Sequence, residues 1–386
     1  MRISAAVSRT ADTAIAAAEA ADAARADLDA VCDLAFAFLT PDHAGGLEAA
    51  AAAVEMCLEP KVLVGAVAQG VVGPGEEVED GTGVVIWAAH LAGGSVRPLR
   101  AWSMPQPDGG VAVAGWPDTA PGEVTVLLAD PFSFPAAEVA QYVGEQRPGQ
   151  LLAGGLVTGG PGMSRLVLDD QVHEDGAVGV VLGGVGIDTL VSQGCRPVGE
   201  PLTVTAAERN RILELAGEPA AARLQELLAV ADPHDRDLLQ RGGLQVGLVV
   251  DEVRDAYATG DFLIRGVLGV APDDGAVTIG DVARVGQTIQ FQVRDGRSAD
   301  RDLAAKLEGA GPATGTLLFT CNGRGRRLFG TLDHDVAAVQ RSLGGTVAGV
   351  FCAGEIGPVG TRSYLHGFTA SLVVFRDDPD GSPPSV

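Results

Sequence analysis

Three stretches of this chain share one design, and that repetition limits the folds open to it more than any other feature. Residues 33–68 read DLAFAFLT, a short loop, a helical pattern over 47–58 and KVLVGAVA, running into QGVVGPG. Residues 123–158 read EVTVLLAD, a helical pattern over 135–145 and QLLAGGLVT, running into GGPG. Residues 315–352 read GTLLFTC, a helical pattern over 333–343 and TVAGVFC, running into AGEIGPVG. Each stretch is a short continuous apolar run, a helix, and a second apolar run with an internal glycine. Continuous rather than alternating apolar runs mark strands covered on both faces, and a helix between them marks a parallel crossover. The expected fold is therefore α/β (mixed α+β): two lobes, with pseudo-duplicated βαβ units in which the last copy matches one of the first two, and additional antiparallel strands.

The remaining segments fit around these units. A strand is expected over 2–7 and an alanine-rich surface helix over 10–29, capped by Thr10 or Asp12. Strands over 83–91 and 95–102 are joined by Gly-Gly, a hairpin signal. Further strand patterns fall at 165–169, 177–182 and 189–204. From 211 the chain reads as a strand, a helix ending near 229, a second short helix in DPHDRDLLQ, and then β-rich sequence whose short connections imply antiparallel pairing. A helix over 298–307 takes Ser298 as its N-cap. A boundary near 190–205 divides the chain evenly, and the tail DDPDGSPPSV reads as disordered.

Composition narrows the function. At 386 residues the chain is long enough for two α/β-sized cores. Glycine, at 53 residues, is about twice its usual share of about 7%. A net charge of −23 repels phosphate backbones and anionic lipid, so neither nucleic acid nor a membrane surface is an expected partner. Five widely spaced cysteines (32, 57, 195, 321, 352) fit a reducing compartment. MRISAAVSRTADT lacks an export signal, and no apolar stretch approaches the roughly 20 residues that span a bilayer. A cytoplasmic location is expected.

Motif chemistry is mostly exclusion. The two lysines, Lys61 and Lys306, do not follow glycine, so no Walker A loop exists. HExxH, CxxC and GxSxG are all missing. Gly-x-Gly at 184–186 and 323–325 lacks the third glycine and the strand-turn-helix setting of dinucleotide binding. No cofactor and no metal is expected.

What remains is concentrated in residues 314–375. Ligands of α/β sheets collect at the carboxyl ends of strands, so the loops after Thr320 and Phe351 should flank one crevice, with NGRG and AGEIGPVG as its walls. Cys321 is either a ligand-contacting or reactive thiol, activated by Arg324, Arg326, Arg327 and loop amides, or with Cys352 a small apolar packer. The equivalent strand ends elsewhere carry Thr40, Ala68, Asp130 and Thr158, which weakens a catalytic reading of the two cysteines as a pair. Gly323 and Gly325 let the backbone bend around Arg324, whose fork suits a carboxylate; a salt bridge is the structural alternative. Asn322, Gly323 and Gly354 supply loop contacts, Glu355 an ammonium contact or a partner for Arg324, and His366 a further contact. The string SQGCRPVGEPLTV offers Ser192, Gln193 and Arg196 as polar contacts, or is an inter-lobe linker.

These strings carry a resemblance. VSQGCRPVGEPLTVT, FTCNGRGRRLFG and GVFCAGEIGPVGTRSYLHGFTASLVVF resemble the FIST family, as do DLAFAFLTPDHA, VLVGAVAQGVVGPGEEVEDG and LLADPFSFP, covering roughly residues 30–375. The resemblance implies a FIST N-terminal domain over 1–195 (core about 30–190), a FIST C-terminal domain over 196–376 and the tail at 377–386. It also implies an intracellular module that binds a small ligand, amino acids among the candidates, and is coupled to signalling output. No kinase, cyclase, receptor or F-box segment accompanies it here, so a separate signalling partner protein would carry the output. The alternatives are a thiol enzyme, with Cys321 as nucleophile and His366 or Glu355 as base, and a non-catalytic interaction scaffold.

Overall fold

The computed structural model describes residues 1–107, 110–147, 149–254 and 256–377. The chain forms two compact units, one from residues 1–191, 304–365 and 369 onward, the other from 192–303 and 366–368.

In the first unit the repeated design appears three times. The first copy runs β1 (Arg2–Ser8), α1 (Thr13–Leu28), β2 (Leu34–Leu39), α2 (Leu47–Leu58), β3 (Val62–Val67), the hairpin β4 (Val71–Gly73) and β5 (Glu76–Val78), and β6 (Val84–His90). The second runs β7 (Ser95–Pro105), β8 (Val111–Ala114), β9 (Val124–Ala129), α3 (Ala136–Gln146), β10 (Leu151–Leu156), the hairpin β11 (Leu166–Leu168) and β12 (Gln171–His173), and β13 (Ala177–Gly183). The third begins with β14 (Gly186–Gln193). It is interrupted by the second unit: β15 (Cys195–Pro197), β16 (Leu202–Glu208), β17 (Arg211–Leu215), β18 (Glu218–Pro219), α4 (Ala220–Val230), α5 (Pro233–Leu238), β19 (Leu244–Val249), β20 (Phe262–Val270), β21 (Val277–Ile279) and β22 (Thr288–Arg294). It resumes after α6 (Gly296–Glu308) with β23 (Gly315–Cys321), α7 (Arg326–Phe329), α8 (His334–Leu343), β24 (Thr346–Cys352), the hairpin β25 (Gly354–Val359) and β26 (Arg362–His366), and β27 (Thr369–Arg376).

Each copy centres one sheet on its parallel pair, β2–β3, β9–β10 or β23–β24. The three strand orders correspond: β1-β6-β2-β3-β11-β12, β7-β13-β9-β10-β25-β26 with β8 beyond β7, and β14-β27-β23-β24-β4-β5. The hairpin at the far edge always comes from a different copy. The hairpin of copy one completes the sheet of copy three, that of copy two completes the sheet of copy one, and that of copy three completes the sheet of copy two. Repetition therefore extends to three copies, cyclically exchanged. The exchange explains why each second strand runs into a glycine-rich turn: the chain must leave its own sheet there.

Alternation within these strands sorts the side chains. Phe36 and Phe38 of β2, Val126 and Leu128 of β9, and Leu317 and Phe319 of β23 share one apolar core with Trp87 and Phe375. Ala35, Ala37 and Leu39 face the opposite way, onto α1 and α2, and Leu127 and Ala129 onto α3. Both faces are buried, as the continuous apolar runs require. The internal glycine of each second strand has a packing cause. A Cβ on Gly65, Gly154 or Gly349 would stand 2.5, 2.0 or 1.8 Å from the carbonyl oxygen of Ala37, Leu127 or Leu318, the register partner on the neighbouring strand.

The second unit is all-antiparallel in its pairings, as its short connections predict. Strands β22, β16, β17, β21, β20 and β19 pair in that order, and β19 pairs back to β22, closing a ring around a core that includes Val246, Phe291 and Leu224 of α4.

Two expectations are corrected. The Gly-Gly at 93–94 does not make a hairpin: β6 pairs with β1 and β2, whereas β7 pairs with β13 and β8 in another sheet. Here the glycines serve a passage between sheets. Ser298 is not the N-cap of α6. The helix starts at Gly296, Asp295 accepts the Arg297 N–H at 3.1 Å, and the Ser298 hydroxyl donates to the Asp295 carboxylate at 2.7 Å. Of the two caps expected for α1, Thr10 and Asp12, it is Asp12 that caps the helix, accepting from the Ile15 N–H. Of the tail read as disordered, residues 378–386 lie outside the described residues.

Candidate functional site

The carboxyl ends of β23 and β24 carry a concentration of buried ionisable groups that the other two copies lack. Thr320 and Cys321 close β23 with side chains on opposite faces. Thr320, on the helix side, donates its hydroxyl to Asp335 at 2.8 Å. The chain turns through 322–325, and Gly325 is required at the turn: its φ is +59° and a Cβ there would lie 2.6 Å from the Glu79 carboxylate. The turn folds Arg324 inward until it is 0% exposed. Its fork meets Asp335, also fully buried, with Nε donating at 2.7 Å and Nη2 at 2.9 Å. The Arg324 guanidinium lies 5.1 Å from the centre of the Phe329 ring, and that ring stacks on His334 at 3.4 Å. The His334 Nδ1 is 3.0 Å from the Asp335 carboxylate.

Asp335 stands in the first turn of α8. Its backbone N–H and that of Val336 both donate, at 2.9 Å, to Glu77 on β5. The Glu77 N–H in turn donates to the Asp333 carboxylate at 2.7 Å. A hairpin from the first copy thus clamps the helix of the third. Burial, reinforced by the Asp335 charge, pushes Glu77 up to about 7. Burial opposes ionisation of Asp335 as well, but the Arg324 charge and the hydrogen bonds from Arg324, His334 and Thr320 hold it well below the usual carboxylate range.

On the core side, Glu355 of β25 is 0% exposed. It accepts from the Thr369 N–H at 3.0 Å and the Thr369 hydroxyl at 2.8 Å. Burial nevertheless pushes it up to about 8, against the hydrogen bonds from Thr369 and the Cys321 side chain and the charge of Arg324. Cys321, 8% exposed, also receives the Gly323 N–H on its sulfur at 3.5 Å. Cys352 is its register partner on β24. Burial and the charges of Glu355 and Cys321 drive its thiol well above the ordinary value, and a Cβ on Gly155 would stand 2.3 Å from its sulfur. Cys352 is a fully buried, packed thiol.

Next to this cluster lies a cavity of about 140 Å³ lined by Gln69, Gly70, Glu79, Asp80, Asn322, Arg326, Arg327 and Phe351. Loop 322–327 and the end of β24 form one wall. The other wall is the 69–80 segment of the first copy, whereas AGEIGPVG is strand β25 paired to β10. Arg326 is engaged, its N–H with Glu79 at 2.7 Å and its guanidinium with Asp80 at 3.0 Å. Arg327 is exposed and forms no ion pair among the described residues. The Asn322 Oδ1 is buried without a hydrogen-bond partner among them.

Family models agree with the resemblance read from the sequence. The FIST N domain matches residues 33–218 and the FIST C domain residues 220–358. The chain belongs to the FIST family. It is 43% identical over 387 residues to Uncharacterized protein Rv0628c of Mycobacterium tuberculosis, covering 98% of this chain and 100% of the relative. It is 42% identical over 388 residues to Uncharacterized protein Mb0898c of Mycobacterium bovis, with the same coverage. FIST domains are associated with signal transduction and small-ligand sensing.

The residues singled out in the FIST sequence divide. Cys321, Asn322, Gly323, Arg324, Gly354 and Glu355 come together in the first unit. Ser192, Gln193, Arg196 and His366 belong to the second. Gln193 is committed to internal bonds, its amide donating to the Phe262 carbonyl at 2.7 Å and accepting the Gly260 N–H at 3.1 Å. Arg196 pairs with Asp235 and Asp295. Ser192 and His366 are buried, at 0% and 3% exposure.

Glu77, Asp335 and the 69–80 wall were missed by sequence reasoning. An aspartate opening a helix just after an arginine-rich loop was a usable signal for Asp335, since helix N-termini and arginines both favour carboxylates. Glu77 had no such signal, because it reaches the site only through the exchanged hairpin. No helix of the described residues is long and apolar enough to cross a membrane, and none of their His, Cys, Asp and Glu groups is placed to hold a metal ion.

Proposed function

We propose that this FIST protein is a sensor that binds a small carboxylate or amino acid in the cavity bounded by 69–80 and 322–327, and passes the signal to a separate partner protein. The observation that carries this reading is the cavity's chemistry. It combines an exposed, unpaired arginine, a buried amide oxygen and two carboxylates around about 140 Å³, well below the ~300–1,000 Å³ of drug-sized sites. A ligand of few atoms bearing both charges suits it, with Arg327 for the carboxylate and Asn322, Glu79 or Asp80 for the ammonium. Arg324 and Glu355, whose polar atoms are mostly engaged with protein partners, shape the site from beneath. The clamp of Glu77 on α8 joins the two walls, so ligand contact with either one is felt by the same helix.

A thermal-shift screen of amino acids and small carboxylates tests the reading. All three tryptophans, at 87, 102 and 116, lie in the unit that holds the cavity, so intrinsic fluorescence reports that unit. A hit should lose its shift in Arg327→Ala and keep it in Arg196→Ala. A screen without hits, or a hit indifferent to Arg327, removes the reading.

A further inference from the structure

We propose that the second copy holds a further ligand site: the cavity between α3 and β8 binds a drug-sized amphiphilic anion, its apolar body against Trp116 and its anionic group on Arg147. The site is separate from the cavity bounded by 69–80 and 322–327, and the proposal does not rest on the reading given to that one.

The sequence explains why space is left there. In the first copy the chain between β1 and β2 forms the alanine-rich α1, which packs on β1, β6 and α2. Its Ala17, Ala20 and Ala24 share a core with Ala50 and Val54 of α2. The corresponding chain of the second copy, between β7 and β9, carries Pro107, Gly110, Gly115, Pro117, Pro121 and Gly122. Glycine and proline are the poorest helix formers, and among the described residues this span forms β8 but no helix. Gly115 turns at a φ of +78°, where a Cβ would meet the Arg100 carbonyl oxygen at 2.1 Å. Helix α3 is therefore flanked by a short edge strand and a loop, where α2 is flanked by a helix.

Those segments leave a cavity of about 710 Å³, inside the ~300–1,000 Å³ range of drug-sized sites. Val111 and Val113 of β8 form one wall with Trp116, and Val139, Tyr142 and Val143 of α3 form the other. Val139 and Val143 belong to a buried core against which Val113 and Trp116 pack, so the walls are set before any ligand arrives. Val111 is 59% and Tyr142 57% exposed. Large apolar groups facing water beside a cavity mark surface that an apolar ligand would cover, and the faces of Trp and Tyr suit a ring.

Charge selects the other end of the ligand. Arg147 follows α3 directly and is half-buried. Its Nη1 donates to the Pro117 carbonyl at 3.0 Å, which holds the guanidinium against the loop that carries Trp116. Its Nη2 is 3.6 Å from Asp118, a fully exposed carboxylate. That distance is too long for a hydrogen bond, and an exposed pair of this kind contributes little. Nη2 is thus open to an anion, and a charge-assisted contact beside apolar walls is stronger than one in bulk water. The carboxylate of the lining, Glu138, is exposed, so the less solvated charge of the cavity is positive.

Binding of two fluorescent probes to the full chain tests the site. Anilinonaphthalene sulfonate carries rings and an anion; N-phenylnaphthylamine carries the same rings without the charge. The sulfonate should bind wild type saturably at one site, and Arg147→Gln should lower its affinity about ten-fold or more. The neutral probe should bind both proteins alike, which also shows that the variant's cavity is intact. Tyr142→Ala should weaken both probes. Phe132→Ala, at an exposed position outside the cavity, and Arg327→Ala, at the smaller cavity, should weaken neither. The proposal is overturned by the lack of saturable binding to wild type, by equal sulfonate affinities in wild type and Arg147→Gln, or by equal losses in Tyr142→Ala and Phe132→Ala. The first and last of these are read without the Arg147 variant, so they decide even if it fails to fold. Arg327→Ala is silent here and decisive at the smaller cavity, so the two readings fail separately.

Discussion

Replacing Asp335 by Asn tests the buried ion pair that organises the site. The substitution keeps the shape but removes the charge, leaving the fully buried Arg324 fork facing a neutral amide with a donor of its own. Removing one partner of a buried pair costs about 3–5 kcal/mol, because the remaining charge stays desolvated. Against a typical total of about 5–15 kcal/mol, that is about a fifth or more of the stability. Urea unfolding followed by tryptophan fluorescence is the assay, since the three tryptophans report only the unit containing the pair. That matters because one free energy is poorly defined for a chain of several units. Arg324→Met combined with Asp335→Leu should recover most of the loss, since apolar replacement of a whole buried pair is often neutral or better. Arg324→Lys, with Asp335 intact, should itself lose stability in the same assay, because a single ammonium cannot reproduce the two-pronged contact. A cost below about 1 kcal/mol for Asp335→Asn, or a double variant as unstable as the single one, would refute the reasoning.

Two further outcomes follow from the same geometry. Glu77 and Glu355 are pushed up from 4.5 to about 7 and about 8, so folding takes up protons between the unfolded and folded values. The stability they contribute is present below about pH 4.5 and is lost as pH rises to about 8. Denaturation at pH 5, 6, 7 and 8 should show a decline that Glu77→Gln with Glu355→Gln flattens; equal slopes in wild type and variant would contradict it. Gly349→Ala and Gly154→Ala should prevent the first unit from folding, because the added carbon meets a neighbouring carbonyl at 1.8 and 2.0 Å. Gly45→Ala, with nothing within 4 Å, is the control for the same fluorescence-monitored unfolding.

Local structure was legible because it is written locally. The runs at 34–39, 62–67, 124–129, 151–156, 315–321 and 346–352 are strands, each parallel pair is the one expected, and α2 has the expected limits. Partner choice beyond each βαβ unit was not legible. Gly-Gly at 93–94 has the composition of a hairpin, and only long-range pairing of β6 with β2 and of β7 with β13 decides against it. The site divides along the same line. Cys321, Arg324 and Glu355 stood out through their glycine-rich loops, and they do cluster. Glu77 and the 69–80 wall arrive from some 250 residues away in sequence, through a hairpin that leaves its own sheet. Arg324 shows the other limit: flanking glycines indicate a bent backbone, and they bend it inward to Asp335.

The measurement closest to the central claim is calorimetric titration of the best thermal-shift hit into wild type and Arg327→Ala. A charge-assisted contact contributes about 1.5–3 kcal/mol. The account therefore predicts a one-to-one isotherm in wild type and an affinity about ten- to hundred-fold lower in the variant. Equal affinities in the two proteins would contradict it.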